Sequence, residues 1–205
     1  MTYEWKGSPN YALTRSKIDT VVIHWTGGGS LDSATTRFMN PASKVSAHYG
    51  IDGETVYQWV HEVHTAWHSG NYEMNTRSIG IEHVAGPDKP LGDLSYQTSA
   101  QLLARLSQTH GIPLDRAHVI KHSQVKATQC PGTMDLDKLI ALAKTYLTPP
   151  PPSEADLAFQ WMKERKIYSD YTQRNSPVTT DTLAIFLERY DRYRDLKSVN
   201  SPLVP

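Results

Sequence analysis

Apolar and β-branched residues fall into short runs over the first two-thirds of the chain, and the period of each run predicts an element. Thr20-Val21-Val22-Ile23-His24-Trp25 is a continuous apolar run closed by Gly27-Gly28-Gly29. That is the pattern of a buried strand entering a flexible turn, with His24 at the strand end. Residues 47–51 and 55–60 flank Asp52-Gly53, a pair that accepts positive φ and predicts a hairpin. Ser78-Ile79-Gly80-Ile81-Glu82-His83-Val84 alternates, setting Ile79, Ile81 and His83 on one face and Gly80, Glu82 and Val84 on the other. Val119-Ile120-Lys121-His122 is another short strand. Helical spacing covers residues 99–110, with a Thr98 and Gln101 capping box and Gly111 as the stop. It returns over residues 135–147, where Leu136, Leu139, Ile140 and Ala143 share a stripe.

Strands interleaved with helices predict an α/β domain over residues 1–147, built on a mixed central sheet flanked by helices. No repeat of solenoid length interrupts it. Pro149-Pro150-Pro151-Pro152 cannot donate backbone hydrogen bonds and favours an extended spacer, placing a linker at residues 148–153. Beyond it, residues 154–205 read as a small helical module. Ala155, Ala158, Phe159 and Met162 recur at helical intervals, as do Leu183, Phe186, Leu187 and Tyr190 after a Thr179 cap. So small a core is marginal without packing or association.

Charge narrows the partners. The chain has 21 basic and 21 acidic residues and no basic block, so neither nucleic acid nor an anionic membrane is an expected partner. No apolar run approaches the about 20 residues that span a bilayer, which argues against membrane insertion. The first nine residues lack the charged-then-apolar profile of a secretory signal peptide, so Sec-dependent export is not expected. Cys130 is the only cysteine, leaving it a structural, redox or metal-ligand role.

Catalytic zinc sites take three protein ligands and leave the fourth position to water. His24 and His122 each close a predicted strand, and Cys130 lies eight residues beyond His122 on a loop able to curl back. Spacing leaves a second reading open, in which these are hydrogen-bonded histidines and a small buried thiol. Glu82 is equally readable as a solvent-facing strand carboxylate. His48 reads as a packed sheet residue, since a fourth protein ligand would close the site to water. Trp67 serves either as core or as a sugar platform. The glycines after Thr26 lack the lysine and spacing of a phosphate loop. His61, His64, His83, His110 and His118 are assigned no functional role.

Read together, the segments resemble the type-2 N-acetylmuramoyl-L-alanine amidases and the related peptidoglycan recognition proteins. The carriers are Val22-Ile23-His24-Trp25-Thr26-Gly27-Gly28, Val45-Ser46-Ala47-His48-Tyr49-Gly50-Ile51-Asp52, Ala66-Trp67-His68-Ser69-Gly70, Ser78-Ile79-Gly80-Ile81-Glu82 and the stretch 122–132. The resemblance implies one Zn2+ ion held by His24, His122 and Cys130, with Glu82 as acid/base. It places His68 and Asn71, with Trp67 beside them, along a groove for bacterial peptidoglycan. Zinc would strengthen water as a nucleophile, and Glu82 would carry its proton to the departing alanine nitrogen. Thr128 stands where some relatives carry lysine and others threonine, and its hydroxyl would donate to the oxyanion. Ala47 replaces a tyrosine found in some amidases, which shifts the acid/base assignment to Glu82.

The C-terminal pattern running from Phe159-x-Trp161-Met162 to Leu187-x-Arg189-Tyr190 resembles one S-layer-homology repeat, a unit used for wall attachment. Thr180 and Asp181 replace the usual arginine and glutamate there, and the rival reading is a plain helical hairpin. The resemblance implies a secondary cell-wall polymer as a further partner. Taken together, these expectations describe a phage endolysin held in the host cytoplasm until a membrane pore opens. A bacterial autolysin and a non-catalytic muropeptide-binding protein are the alternatives.

Overall fold

A computed structural model describes residues 2–147, and the structural statements below concern these residues. Internal contacts divide the chain into two units, Met1–Thr148 and Pro149–Pro205. The helices and S-layer resemblance read from residues 154–205 lie outside the described residues, as does the proline linker at 148–153.

Six strands form one mixed sheet in the order β1 (Thr2–Trp5), β5 (Thr55–Gln58), β4 (Tyr49–Asp52), β7 (Ser78–His83), β3 (Thr20–Trp25) and β8 (Val119–Lys121). Only β4 and β5 pair antiparallel, as the hairpin expected around Asp52-Gly53; the other neighbours run parallel. A small antiparallel pair joins β2 (Tyr11–Ala12) to β6 (Thr65–Ala66). Parallel pairing explains the continuous apolar run of β3, because such strands are covered on both faces. Val21, Val22 and Ile23 are wholly buried. Each contributes roughly 1.5–3 kcal/mol of burial free energy.

On one face, Val21, Ile23, Ile79 and Ile81 pack against α3 (Asp93–His110) and α4 (Leu136–Leu147) through Leu103, Leu106, Leu139 and Ile140. The alternation read from β7 therefore holds. Ile79 and Ile81 enter this core, while Gly80 and Glu82 face the other side. There a second cluster joins Leu31 and Phe38 of α1 (Leu31–Met39) to Trp59, Val60, Ala66 and Val84. No helix among the described residues is long and apolar enough to cross a membrane.

Two expectations about α3 need correction. The helix begins at Asp93 rather than residue 99, and Thr98 is a buried interior residue, so the Thr98 and Gln101 capping box does not exist. Gly92 takes the N-cap position without a side-chain bond. The early turns are held by tertiary polar contacts that leave no apolar periodicity. Ser95 Oγ accepts from the Gly53 N–H at 2.8 Å, and Tyr96 Oη accepts from the Asp135 N–H at 2.9 Å. Helix α4 starts at Leu136, with Asp135 Oδ1 accepting from the Lys138 N–H at 2.9 Å.

Glu62 ties the loop after β5 to the sheet and to α3. Its carboxylate accepts hydrogen bonds from Tyr49 Oη, from Arg105 Nη2 at 2.7 Å and from His110 Nε2 at 2.5 Å. Burial alone would raise its pKa, but these donors outweigh burial and hold it below the usual carboxylate value. Glu62→Ala should cost about 2 kcal/mol of stability at neutral pH, the range for hydrogen bonds to a charged group. A depressed pKa contributes stability above the unfolded-state value and loses it as pH falls through the folded-state value. Urea melts of the variant and the parent should therefore converge under acid.

Candidate metal centre and cleft

His24 and Glu82 sit side by side across β3 and β7, whose register pairs them directly. His122 opens a 3-10 turn just beyond β8. The Ser123 N–H donates to the Cys130 carbonyl at 2.9 Å, folding the loop so that Cys130 returns beside His122. Cys130 Sγ then accepts from the Trp25 N–H at 3.3 Å and lies 3.8 Å from His24 Nδ1. One donor atom from each of His24, His122 and Cys130 falls within 4.8 Å of the others.

Hydrogen bonds settle which histidine nitrogens carry protons. The Ser78 hydroxyl donates to the Met74 carbonyl at 2.5 Å, so its oxygen accepts from His68 Nε2–H at 3.2 Å. His68 Nδ1 is then unprotonated and accepts from His24 Nε2–H at 3.0 Å. This leaves His24 Nδ1 bare and turned towards Cys130. His122 follows the same logic, donating from Nε2 to the Ser69 carbonyl at 3.1 Å and leaving Nδ1 bare. These proton positions belong to neutral rings. Burial, reinforced by neighbouring histidines, holds His24 and His68 well below the ordinary histidine pKa; burial and Lys126 lower His122.

The backbone of His24 is also held. Its carbonyl accepts from His83 Nδ1–H at 3.0 Å, while His83 Nε2 accepts from the Ser99 hydroxyl at 2.8 Å. Gly80 permits the His68 ring to lie on the sheet, since a Cβ there would approach His68 Cγ to 2.5 Å. His48 meets the expectation of a packed sheet residue. Its Nδ1 accepts from the Gly80 N–H at 3.0 Å, and its Nε2–H donates to the His64 carbonyl at 3.1 Å.

The donor set fits zinc. A tetrahedral ion with bonds of about 2.0–2.3 Å holds its ligand atoms about 3.4–3.6 Å apart, close to the His24 to Cys130 separation. Burial pushes the Cys130 thiol up to about 12, with the Trp25 N–H opposing and Glu82 adding to the rise. A bound cation would reverse that, since a coordinating thiol is deprotonated. Burial likewise raises Glu82 to about 8 against the opposing charge of Arg37, and its Oε2 is buried with no hydrogen-bond partner. Such an orphaned oxygen is expensive unless a ligand or water satisfies it.

These groups open into a cleft of about 700 Å³ that also takes in Trp67, His68 and Thr128. Thr128 Oγ1 accepts from the Cys130 N–H at 3.2 Å, leaving its own proton free to donate. Asn71 is placed differently from the sequence expectation. Its side chain caps α2 (Tyr72–Arg77) by accepting from the Met74 N–H at 3.0 Å, and it does not line the cleft. Asn75, one turn further, lines it instead and gathers the Ser69 N–H and hydroxyl on Oδ1 at 2.9 and 2.8 Å. His68 has more than a groove position, because it also orients His24. Removing such an outer partner typically weakens metal binding 10- to 100-fold. Ser78→Ala and His68→Ala should each weaken zinc binding by about tenfold or more, read by competition with a chromophoric chelator.

The geometry agrees with what the sequence matches. Residues 14–133 match the family model described as N-acetylmuramoyl-L-alanine amidase. The chain belongs to this amidase family. Amidase A of Achromobacter lyticus is 42% identical over 79 residues, covering 37% of this chain and 42% of the relative. The amidase CwlA of Bacillus subtilis is 28% identical over 123 residues, covering 56% and 43%. This member of the amidase family thus spans about two-fifths of the length of each. A mutant endolysin from Bacillus subtilis shares the fold at a TM-score of 0.56 and 24% identity, covering 72% of this chain and 99% of that one. The amidase-family match takes in the two histidines, Glu82 and Cys130 together.

Proposed function

We propose that this protein is a zinc-dependent N-acetylmuramoyl-L-alanine amidase, cutting peptidoglycan between the lactyl group of N-acetylmuramic acid and the first L-alanine. One observation carries the reading: two bare imidazole nitrogens and a thiol converge beside a buried, unpartnered carboxylate oxygen in one open cleft. His24, His122 and Cys130 would hold the ion, His24 through its bare Nδ1 and Cys130 through Sγ. When bound, zinc supplies Lewis acidity for the scissile carbonyl and for water.

The remaining work belongs to the chain. An amide has a poor leaving group, so its nitrogen must be protonated as the bond breaks. Glu82 takes a proton from the attacking water and delivers it to the alanine nitrogen. Burial raises its pKa in the metal-free chain and a nearby cation would lower it again, and a group titrating near neutrality accepts and releases a proton with little penalty. Thr128 donates its free hydroxyl proton to the oxygen that gains charge. A neutral donor stabilises that oxygen less than a cation would. Ser78 orients His68, His68 orients His24 and lines the cleft, and Asn75 holds the segment that bounds the groove.

The ligand set, the carboxylate and the family membership support hydrolysis over passive binding of muropeptides. The setting we propose is a phage endolysin waiting in the host cytoplasm, its residues 154–205 holding the catalyst near the wall through a secondary polymer. Tethering raises the effective concentration at an insoluble substrate. Mass spectrometry of digested cell wall, run with metal analysis, tests the chemistry. New alanine N-termini without new reducing ends, lost on chelation, are the expected result. New reducing ends alone would mean a glycosidase, and bound but uncut wall would mean a recognition protein.

A further inference from the structure

The net charge is zero, yet the cleft is not neutral. Arg37, Lys44 and Lys126 line it, and Glu82 is its only acidic residue. None of the three cations has an ion pair or a side-chain hydrogen bond among the described residues. Elsewhere cations are mostly engaged: Lys6, Lys17, Arg77, Arg105 and Lys138 pair with carboxylates. Arg15 and Lys121 donate to carbonyls. Outside the cleft only Lys89 and Arg116 share that unpaired condition among the described residues.

The three arise from separate segments, so no single helix face explains them. Arg37 lies in the last turn of α1. Lys44 ends the 3-10 turn Pro41–Ser43 in a left-handed conformation, φ 50 and ψ 35, and is the only non-glycine residue with positive φ among the described residues. Glycine or asparagine would take that conformation at less cost than lysine. Lys126 comes from the loop that returns Cys130, and its stem lies over Gly70. A Cβ at Gly70 would meet Lys126 Cδ at 2.8 Å and Nζ at 2.9 Å. The bare backbone at Gly70 is therefore the seat that places this ammonium on the cleft wall.

We propose that Arg37, Lys44 and Lys126 form a subsite for the free carboxylates of the stem peptide, so that the cleft prefers acidic stems to those carrying carboxamides. It rests on the reading above that the cleft accepts a muramyl peptide. Arg37, Lys44 and Lys126 are exposed, and like charges gathered along a concave wall focus positive potential where a bound peptide would lie. A carboxylate there gains charge-assisted hydrogen bonds, whereas a carboxamide presents its own N–H groups to cations and gains little.

The probes are N-acetylmuramoyl-L-alanyl-D-isoglutamate and its D-isoglutamine counterpart, which differ by one carboxylate against one carboxamide. Calorimetric titration of the full-length, zinc-loaded Glu82→Gln variant should show the acid binding about tenfold more tightly at low salt. That gap should shrink with added salt. Lys126→Ala or Arg37→Ala, each added to that variant, should bring the two ligands together, whereas Arg116→Ala, which removes the same charge outside the cleft, should leave the gap intact. Equal affinities, a preference for the carboxamide, or no binding of either ligand would overturn the subsite. Hydrolysis of both probes by the parent protein is assayed in parallel. Cleavage at equal efficiency would sink the subsite and leave the amidase reading standing; acid-selective binding without cleavage would do the reverse.

Discussion

Glu82→Gln is expected to reduce amide hydrolysis by about 10²–10⁴-fold, the usual contribution of a positioned acid/base, while zinc content stays at the parent level. Glutamine keeps the shape of the side chain but can neither accept the water proton nor pass it on. Release of alanine N-termini from purified wall measures the loss, and metal analysis of the same sample shows that the ion is retained. Near-parental turnover with zinc in place would assign the proton transfer to another group. The same variant gives a second signal in the metal-free protein. Burial raises Glu82 to about 8, so the folded chain keeps a proton that the unfolded chain releases above the ordinary value of 4.5. A raised folded-state pKa contributes stability below the unfolded value and loses it as pH climbs through the folded one. Glu82→Gln should thus remove a stability component that the metal-free parent loses between about pH 4.5 and 8, read as the difference between parent and variant because the buried histidines, held below the ordinary value, contribute the opposite slope.

Cys130→Ala is expected to eliminate both zinc and activity. The thiolate is the softest of the three ligands and supplies the only negative charge among them. Its loss leaves two neutral imidazoles, too few to hold the ion against water. Chelation of the parent should have the same effect on turnover and should lower its melting temperature, since an ion bound only by the folded state adds RT ln(1 + [Zn]/Kd) to stability. At a hundredfold excess over Kd that is about 2.7 kcal/mol. Restoring zinc should recover the parent and leave Cys130→Ala inactive. Full turnover by a chelated sample with no residual metal would refute the metal assignment.

Much of the cleft is legible in the sequence because strand ends carry it. His24 and Glu82 belong to short apolar runs whose period is local, and the hairpin before β5 is announced by a dipeptide. Asn75, Lys126, Arg37 and Lys44 carried no such signal. Helix α1 buries only Leu31 and Phe38 and is rich in threonine, so its periodicity is faint. Helix α2 has six residues, too few for any period to show, so the resemblance marks its cap Asn71 while nothing local marks its interior Asn75. The edge strand β1 is exposed at every position, so nothing in its pattern reveals that it pairs with β5.

The chain's own order of residues determined on which face of its strand Glu82 stands and where His24 ends its run, because alternation depends only on neighbours a few positions away. Tertiary structure alone decided which nitrogen of each histidine is left bare. That choice travels from the Met74 carbonyl through Ser78 and His68 to His24, and for His122 it comes from the Ser69 carbonyl. It also decided that a neutral chain has a cationic cleft. Hydrogen-bond direction and local charge are set by groups distant along the sequence, and only folding brings those groups within reach.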